Sequence, residues 1–289
     1  MKPVISTKIQ VNTDITNMKE RGVPSFSIII PTRNSAPHIA RLFGSLSQQT
    51  FENFEIIVVD TDSQDNTWEL VQTFGARLLK TNPLGNAPQN LSIAKNIGAQ
   101  SAQGKYLLFL DSDMELPKTL LETCDERIQT ADALCIKEQV PVSNYWANAR
   151  GLEKESFFGS LYFEAARCIR KSVFDKIGGY DPQMTSVEDI ELQARLVKGN
   201  FRIDWISIAI IHHEEQLGLI EYLSKRCKLT NSFHLLKQKH PKYWKNFIST
   251  TLRLKMILNQ ISRSEKLSSI LLIPGLVFTR SCEFLIRML

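Results

Sequence analysis

Four short apolar runs punctuate the first 110 residues, each stopped by a polar or turn-forming residue. Ser27-Ile-Ile-Ile30 ends at Pro31, Phe54–Val59 at Asp60, and Tyr106–Leu110 at Asp111; Arg77–Lys80 is a weaker run between them. Short β-branched or aromatic runs bounded in this way predict buried strands. The intervening segments change period. Ile39, Leu42, Phe43 and Leu46 share one helical face, Trp68, Leu70, Val71 and Phe74 fall at near-helical spacing, and Ile93, Ile97 and Ala99 follow in a third segment. Alternating strand and helix predicts an α/β fold with a mostly parallel sheet covered on both faces.

Ligands of such sheets gather where the loops leave the carboxyl ends of the strands. Those ends carry Pro31-Thr-Arg-Asn34, Asp60-Thr-Asp-Ser63 and Asp111-Ser-Asp113, three polar loops expected at one rim. Asp111 and Asp113 form a carboxylate pair at i, i+2, which suits a divalent cation that takes oxygen ligands and shares its coordination with phosphates. An aspartate-rich turn is the plainer reading of the same three residues. Asp60 can accept hydrogen bonds from a base or ribose, while Ser63, Asp65 and Asn66 supply capping chemistry for the next helix.

Further along, Glu188-Asp189 opens a helical pattern through Ile190, Leu192, Ala194 and Leu196. A hydroxyl nucleophile needs a carboxylate to take its proton, and acidic residues at a helix start also suit the helix dipole. The apolar run Trp205–Ile211 leads into His212-His213. His212 directly follows the run and is the better placed of the pair to ligate a metal or face a diphosphate.

Seven short motifs stand in one order: Ser27-Ile-Ile-Ile-Pro-Thr-Arg-Asn34, Val58-Val-Asp-Thr-Asp-Ser63 with Asp65, Ala94-Lys-Asn-Ile-Gly98, Gly104-Lys-Tyr106, Phe109-Leu-Asp-Ser-Asp113, Ile177-Gly-Gly-Tyr-Asp181 and Val187-Glu-Asp-Ile-Glu-Leu192 with Arg195. In this order they resemble the family 2 glycosyltransferases over roughly residues 25 to 215. The resemblance implies a GT-A fold, a nucleotide-sugar donor, a hydroxyl acceptor and inversion at the anomeric carbon. By position, Pro31, Thr32 and Asp60 would line the nucleoside pocket, and Lys95 would lie near the diphosphate. Asp113, with His212, would hold Mn2+ or Mg2+, Asp111 would sit close to ribose and metal, and Asp189 would be the general base. Trp146, Arg150 and Glu188 are acceptor-side candidates, Trp146 and Arg150 from the aromatic segment Asn144–Tyr162, whose duller reading is packing against the C-terminal region. Thr61 stands where many members carry a second Asp, so uridine is not assured as the nucleoside. The Gln-x-x-Arg-Trp signature of processive synthases is missing, which favours transfer of a single sugar.

Composition refines this picture at the C-terminus. The chain of 289 residues is 43% hydrophobic and 22% charged, ordinary for a globular protein, with a net charge of +5. From Leu217 onward there are 13 Lys and Arg against 3 Asp and Glu, so that stretch is strongly basic and the remainder is acidic. Lys225, Arg226, Lys228, Lys237, Lys239, Lys242 and Lys245 interleave with Tyr243 and Trp244. Together with the apolar stretch Ile270–Phe278, which is too short to span a bilayer, this favours contact with anionic lipid headgroups over nucleic acid. A lipid-linked acceptor would bring substrate to such a surface. The expected division is an N-terminal extension over 1–23, a transferase domain over 24–215 and a basic helical region over 216–289. The five scattered cysteines (Cys124, Cys135, Cys168, Cys227 and Cys282) and the polar Met1–Gly22 fit a cytoplasmic protein, peripheral on the inner face of the membrane.

Rival classes fare less well. A Rossmann oxidoreductase needs a Gly-rich turn after the first strand, and Pro31-Thr-Arg-Asn34 has none. Gly98 to Gly104-Lys105 misses P-loop spacing and leads into a strand. A nucleotidyltransferase would show a basic Gly-rich loop near the N-terminus. A non-catalytic nucleotide-sugar- or lipid-binding module is the remaining alternative, against which the intact Asp113 and Asp189 argue.

Overall fold

The computed structural model describes residues 9–12, 22–81, 90–141, 144–213, 230–264 and 271–277. The N-terminal half builds β1 (Ile9–Asn12), β2 (Phe26–Thr32), α1 (Ala36–Leu46), β3 (Phe54–Asp60), α2 (Thr67–Thr73), β4 (Arg77–Thr81), α3 (Leu91–Ser101) and β5 (Tyr106–Phe109). There follow β6 (Met114–Glu115), α4 (Leu120–Ile128), β7 (Ala133–Gln139), α5 (Tyr145–Ser156), β8 (Ala166–Arg170), α6 (Lys171–Lys176), α7 (Glu188–Lys198) and β9 (Ile203–His212). The C-terminal region adds α8 (Thr230–Lys239), α9 (Pro241–Phe247) and α10 (Thr250–Ser264).

One nine-stranded sheet runs in the order β1-β4-β3-β2-β5-β8-β7-β9-β6. Strands β4, β3, β2 and β5 are parallel, as their runs predict. The chain leaves β2 for β3 and β4 on one side and returns through α3 to place β5 on the other, which opens a crevice at their carboxyl ends. The other half is mixed: β8 is antiparallel to β5 and β7, while β9 is parallel to β7 and antiparallel to β6. Strand β1 pairs antiparallel with β4 inside the stretch expected to be an extension. At four residues it is too short to show a period of its own.

Two apolar layers sandwich the sheet. Ile28, Ile30 and Val58 point to α1, α2 and α4, while Ile29, Ile57, Val59, Leu107 and Phe109 point to α3 and α7. Helix α3 lies so close to the sheet that a Cβ on Gly98 would sit 2.5 Å from Ile29 Cγ2. Close approach of this kind is what glycine allows and alanine does not. Where α3 gives way to β5 a polar knot is buried. Ser27 Oγ donates to Glu55 Oε1 at 2.6 Å, and the backbone N–H groups of Gln103 and Gly104 donate to Glu55 and to Ser27 at 2.7 and 2.8 Å.

The basic C-terminal region is braced against the outer side of the sheet domain. Phe233, Leu236, Tyr243 and Phe247 pack with Met184 and Ala194 on the outer side of α7. His240 Nε2 lies 2.8 Å from Glu191 Oε1 of α7, and Tyr243 Oη donates to the carbonyls of Leu161 and Tyr162 at 3.2 Å each. The aromatics that looked like partners for the lysines therefore turn inward, Tyr243 fully and Trp244 in part. Helix α10 packs on α5 through Ile257, Ala149 and Leu152, joined by Leu276. Lys225, Arg226 and Lys228 lie outside the described residues, as do Cys227 and Cys282; Cys124, Cys135 and Cys168 are buried and unbridged.

Candidate active site

The three loops expected at the rim meet there. Pro31 and Thr32 end β2 and are buried, with Thr32 paired in register to Asp60 of β3. Thr32 Oγ1 donates to Asp60 Oδ2 at 3.0 Å, and Ser63 gives Asp60 both its backbone N–H (3.0 Å) and its hydroxyl (2.5 Å). Asp60 thus organises its own loop. Capping falls to Asp65, whose carboxylate accepts from Ala36 N at 3.1 Å and from Thr67 N and Oγ1 at 3.1 and 2.5 Å. One side chain therefore ties the starts of α1 and α2 together, and these hydrogen bonds hold its carboxyl below the usual range against the opposing cost of burial. Thr61, next to Asp60, has a buried hydroxyl without a hydrogen-bond partner.

Asp113 and His212 are brought together by the smallest strand pair. Met114 of β6 stands opposite His212 of β9, and the backbone N–H of His213 donates to the carbonyl of Asp113 at 2.9 Å. His212 Nε2 lies 3.1 Å from Asp113 Oδ1 and its Nδ1 lies 3.2 Å from Glu138 Oε2. Burial opposes the charged ring, but the two carboxylates outweigh it and push its pKa up to about 9. His213 turns instead to Glu115 at 2.9 Å.

Asp111 takes a different partner. Arg167 of β8 lies 3.2 Å from its Oδ2 and 2.5 Å from Glu138, and Lys154 reaches Glu138 at 2.9 Å. An alternating chain of charges, Asp113, His212, Glu138, Arg167 and Asp111, therefore joins the two carboxylates of the Asp-x-Asp motif. Arg167 holds the Asp111 carboxyl below its ordinary value despite burial. Arg167 and Glu138 were not singled out in the sequence, since a lone charge on a half-buried strand carries no periodic or motif signal.

Opposite this chain stands the start of α7. Val187 precedes the helix at φ 53°, a left-handed conformation costly for a β-branched residue, so the surrounding fold holds the turn that presents Glu188 and Asp189. Glu188 is buried and accepts from Lys95 Nζ at 2.7 Å, with side-chain exposures of 6% and 5%. Lys95 also lies over the Tyr180 ring, 5.2 Å from its centroid. Its ammonium is thus held by Glu188 in the wall of the cleft that it lines. Asp189 has no cationic partner among the described residues; only the Ile190 N–H donates to it, at 2.8 Å. Burial and the neighbouring Glu188 push its carboxyl up to about 6, against the lowering pull of Lys95 and Arg167.

These groups face one cleft of about 290 Å³, whose wall includes Lys95, Asp111, Glu138, Arg167, Asp189 and His212. Trp146 does not line it. Trp146 stacks edge-on against Tyr145, whose hydroxyl bridges the Leu271 carbonyl and the Gly275 N–H at 3.0 and 2.9 Å, so this end of α5 serves the C-terminal packing. The Arg150 side chain lies outside the described residues. Among the described residues no group of three His, Cys, Asp or Glu is gathered as a metal cage. Asp113 offers an oxygen ligand of the kind that Mg2+ or Mn2+ takes beside waters and substrate phosphates, and His212 offers a nitrogen ligand once its ring gives up the proton that Asp113 and Glu138 hold there.

A parallel four-strand half-sheet with polar loops at its switch point, extended by a mixed half carrying the Asp113–His212 pair, defines a nucleotide-binding GT-A fold. The chain belongs to glycosyl transferase family 2, whose family model matches residues 27–187. It is similar to the Staphylococcus aureus poly(ribitol-phosphate) β-N-acetylglucosaminyltransferase TarS, 33% identical over 46% of this chain and 23% of that protein. It also resembles the Campylobacter jejuni GalNAc(5)-diNAcBac-PP-undecaprenol β-1,3-glucosyltransferase, 30% identical over 53% of this chain and 52% of that one. Both matches span little more than half, or less, of the relatives' lengths. In structure it resembles the mannosyltransferase PcManGT of Pyrobaculum calidifontis, solved with GDP-Man and Mn2+ (TM-score 0.61, 13% identity, 92% of this chain and 86% of that one). TarS residues 1–349 with UDP-GlcNAc gives a TM-score of 0.58 at 21% identity, covering 88% of this chain and 79% of that one. At these identities the structural likeness concerns the fold.

Proposed function

We propose that this protein transfers a single sugar, with inversion, from a nucleotide-diphosphate donor to a hydroxyl acceptor. The observation that carries the reading is the cleft itself, which sets the unpaired carboxyl of Asp189 opposite the Asp111–His212 side of the rim. The nucleoside would rest on the loops of Thr32 and Asp60. Asp113 and His212 would hold a divalent cation, whose chemistry is to offset charge on the departing nucleotide diphosphate. Asp189 would accept the proton of the acceptor hydroxyl as its oxygen attacks the anomeric carbon. The hydrogen bond from Ile190 and the Lys95–Glu188 pair keep that carboxylate at the helix start. Arg167 keeps Asp111 ionised and in place.

Relatives whose names state sugar transfer, and neighbours solved with UDP-GlcNAc or GDP-Man, support a nucleotide-sugar donor. The undecaprenol-linked acceptor in the Campylobacter enzyme's name supports a lipid-linked acceptor here. No helix among the described residues is long and apolar enough to cross a membrane. Surface contact would fall to the basic C-terminal region, where Leu254 and Leu258 are exposed one turn apart on α10.

The reading is tested by calorimetry with UDP and GDP, with and without Mn2+, followed by a screen of nucleotide sugars for metal-dependent hydrolysis. Tight diphosphate binding that needs the cation, and is lost in Asp113→Ala, is the expected result. Absent binding, or binding indifferent to both the cation and Asp113, would favour a non-catalytic module.

A further inference from the structure

One end of the cleft is used by neither the metal pair nor the base. There the wall is made by Ile136, Phe157, Phe163 and Glu164. The two phenylalanine rings lie 4.4 Å apart at 33°, forming one apolar surface. Glu164, just before β8, is anchored by the Gly159 N–H, which donates to Oε2 at 3.0 Å. Beside it lies the partly buried Trp205 indole, whose N–H faces the same carboxylate. The nearby lysines are turned elsewhere, Lys137 to Glu155 at 3.4 Å and Lys154 to Glu138 at 2.9 Å. Glu164 makes no ion pair among the described residues, and burial pushes its carboxyl up to about 7.

A carboxyl set in an apolar recess and making no ion pair among the described residues keeps acceptor capacity that a ligand can use. A buried hydrogen-bonding group left unpaired is costly, so a site built this way discriminates strongly for a ligand bearing matching groups. Hydroxyls match a carboxylate oxygen. The phenylalanine faces suit the C–H face of a pyranose ring. A phosphate is disfavoured in this recess, where Glu138 and Glu164 share the wall and the nearby Lys137 and Lys154 are engaged by Glu155 and Glu138.

We propose that Glu164, with the Phe157–Phe163 wall, forms a saccharide subsite in which Glu164 accepts hydrogen bonds from hydroxyls of a neutral acceptor sugar. This rests on the transferase reading above. It adds that the residue receiving the new sugar is itself a sugar, and not a polyol phosphate or a lipid alcohol.

Binding can be read without turnover, by saturation-transfer NMR of methyl hexopyranosides and of glycerol 3-phosphate in the presence of UDP and Mn2+. Methyl glycosides should bind the wild type, and Glu164→Ala and Glu164→Gln should each weaken them at least tenfold. Glu164→Gln preserves volume, and with the buried charge gone it should fold at least as well as wild type, as a thermal melt will show. Glycerol 3-phosphate should not compete. Glycoside binding indifferent to both substitutions, or preference for glycerol 3-phosphate, would overturn the proposal. A further arm compares UDP with UDP-sugar affinity in Glu164→Gln: selective loss of the UDP-sugar increment, with glycosides unaffected, would assign Glu164 to the donor sugar and likewise overturn it. Failure of UDP itself to bind the wild type would strike the transferase reading, a separate result.

Discussion

Replacing Asp189 by Asn should trade function for stability. The carboxyl is raised from an ordinary 3.8 to about 6 by burial and by Glu188. A carboxyl raised on folding binds its proton more tightly in the native state, so its ionisation opposes the fold. That cost is fully present above about pH 6, shrinks as pH falls from about 6 towards 3.8, and is gone below. A shift of this size corresponds to about 3 kcal/mol at pH 7, an upper figure because partial solvation and the removal of any hydrogen bond to Ile190 reduce the net gain. Asparagine keeps the shape and carries no charge. At pH 7.5 the variant should therefore be more stable by roughly 1–3 kcal/mol, and the advantage should vanish near pH 4. Urea titrations of both proteins at pH 4, 6 and 7.5 measure this directly. Sugar transfer, followed by nucleotide release, should fall by about 10²–10⁴-fold, the usual contribution of a general base. In the wild type, transfer should rise with pH through about 6 and level off. A stability difference independent of pH, or near-native turnover in the variant, would refute both the environment and the role assigned to this carboxyl.

Lys95→Met should leave Glu188 buried without its partner, costing about 3–5 kcal/mol. It should also move the acid limb of the transfer profile to higher pH, because Lys95 is one of two cations restraining Asp189. Adding Glu188→Gln should recover much of the lost stability, checked by the same urea titrations; an unmoved profile in Lys95→Met would show that the ion pair does not act on Asp189. On the outer surface, Leu254→Ser with Leu258→Ser should abolish pelleting with phosphatidylglycerol vesicles at low salt, since the exposed leucines would supply the apolar part of that contact. Unchanged pelleting would move any lipid contact elsewhere.

The first half of the sheet was legible because each of its strands is local. Ile28–Ile30, Phe54–Val59 and Tyr106–Phe109 are bounded runs, buried on both faces in a parallel sheet, and burial on both faces writes itself as continuous hydrophobicity. The loops that close them could be placed at one rim from strand order alone, and so could the candidates Asp60, Asp111 and Asp113. Strands β7 and β8 were not read. Their runs are short and interrupted by Lys137, Glu138 and Arg167, and the last two only make sense once the strands bring them together as an ion pair.

Local order along the chain thus determined the strand–helix alternation, the family motifs, the uneven charge and the titratable residues worth suspecting. Tertiary structure alone decided which of those charges meet. Asp113 faces His212, about a hundred positions away, because a two-residue strand pairs with the end of β9. Lys95 is consumed by Glu188, Arg167 guards Asp111, and Asp189 is left without a counterion. Electrostatic character depends on distances through space and on burial, and neither is encoded in the identity or spacing of a residue along the chain.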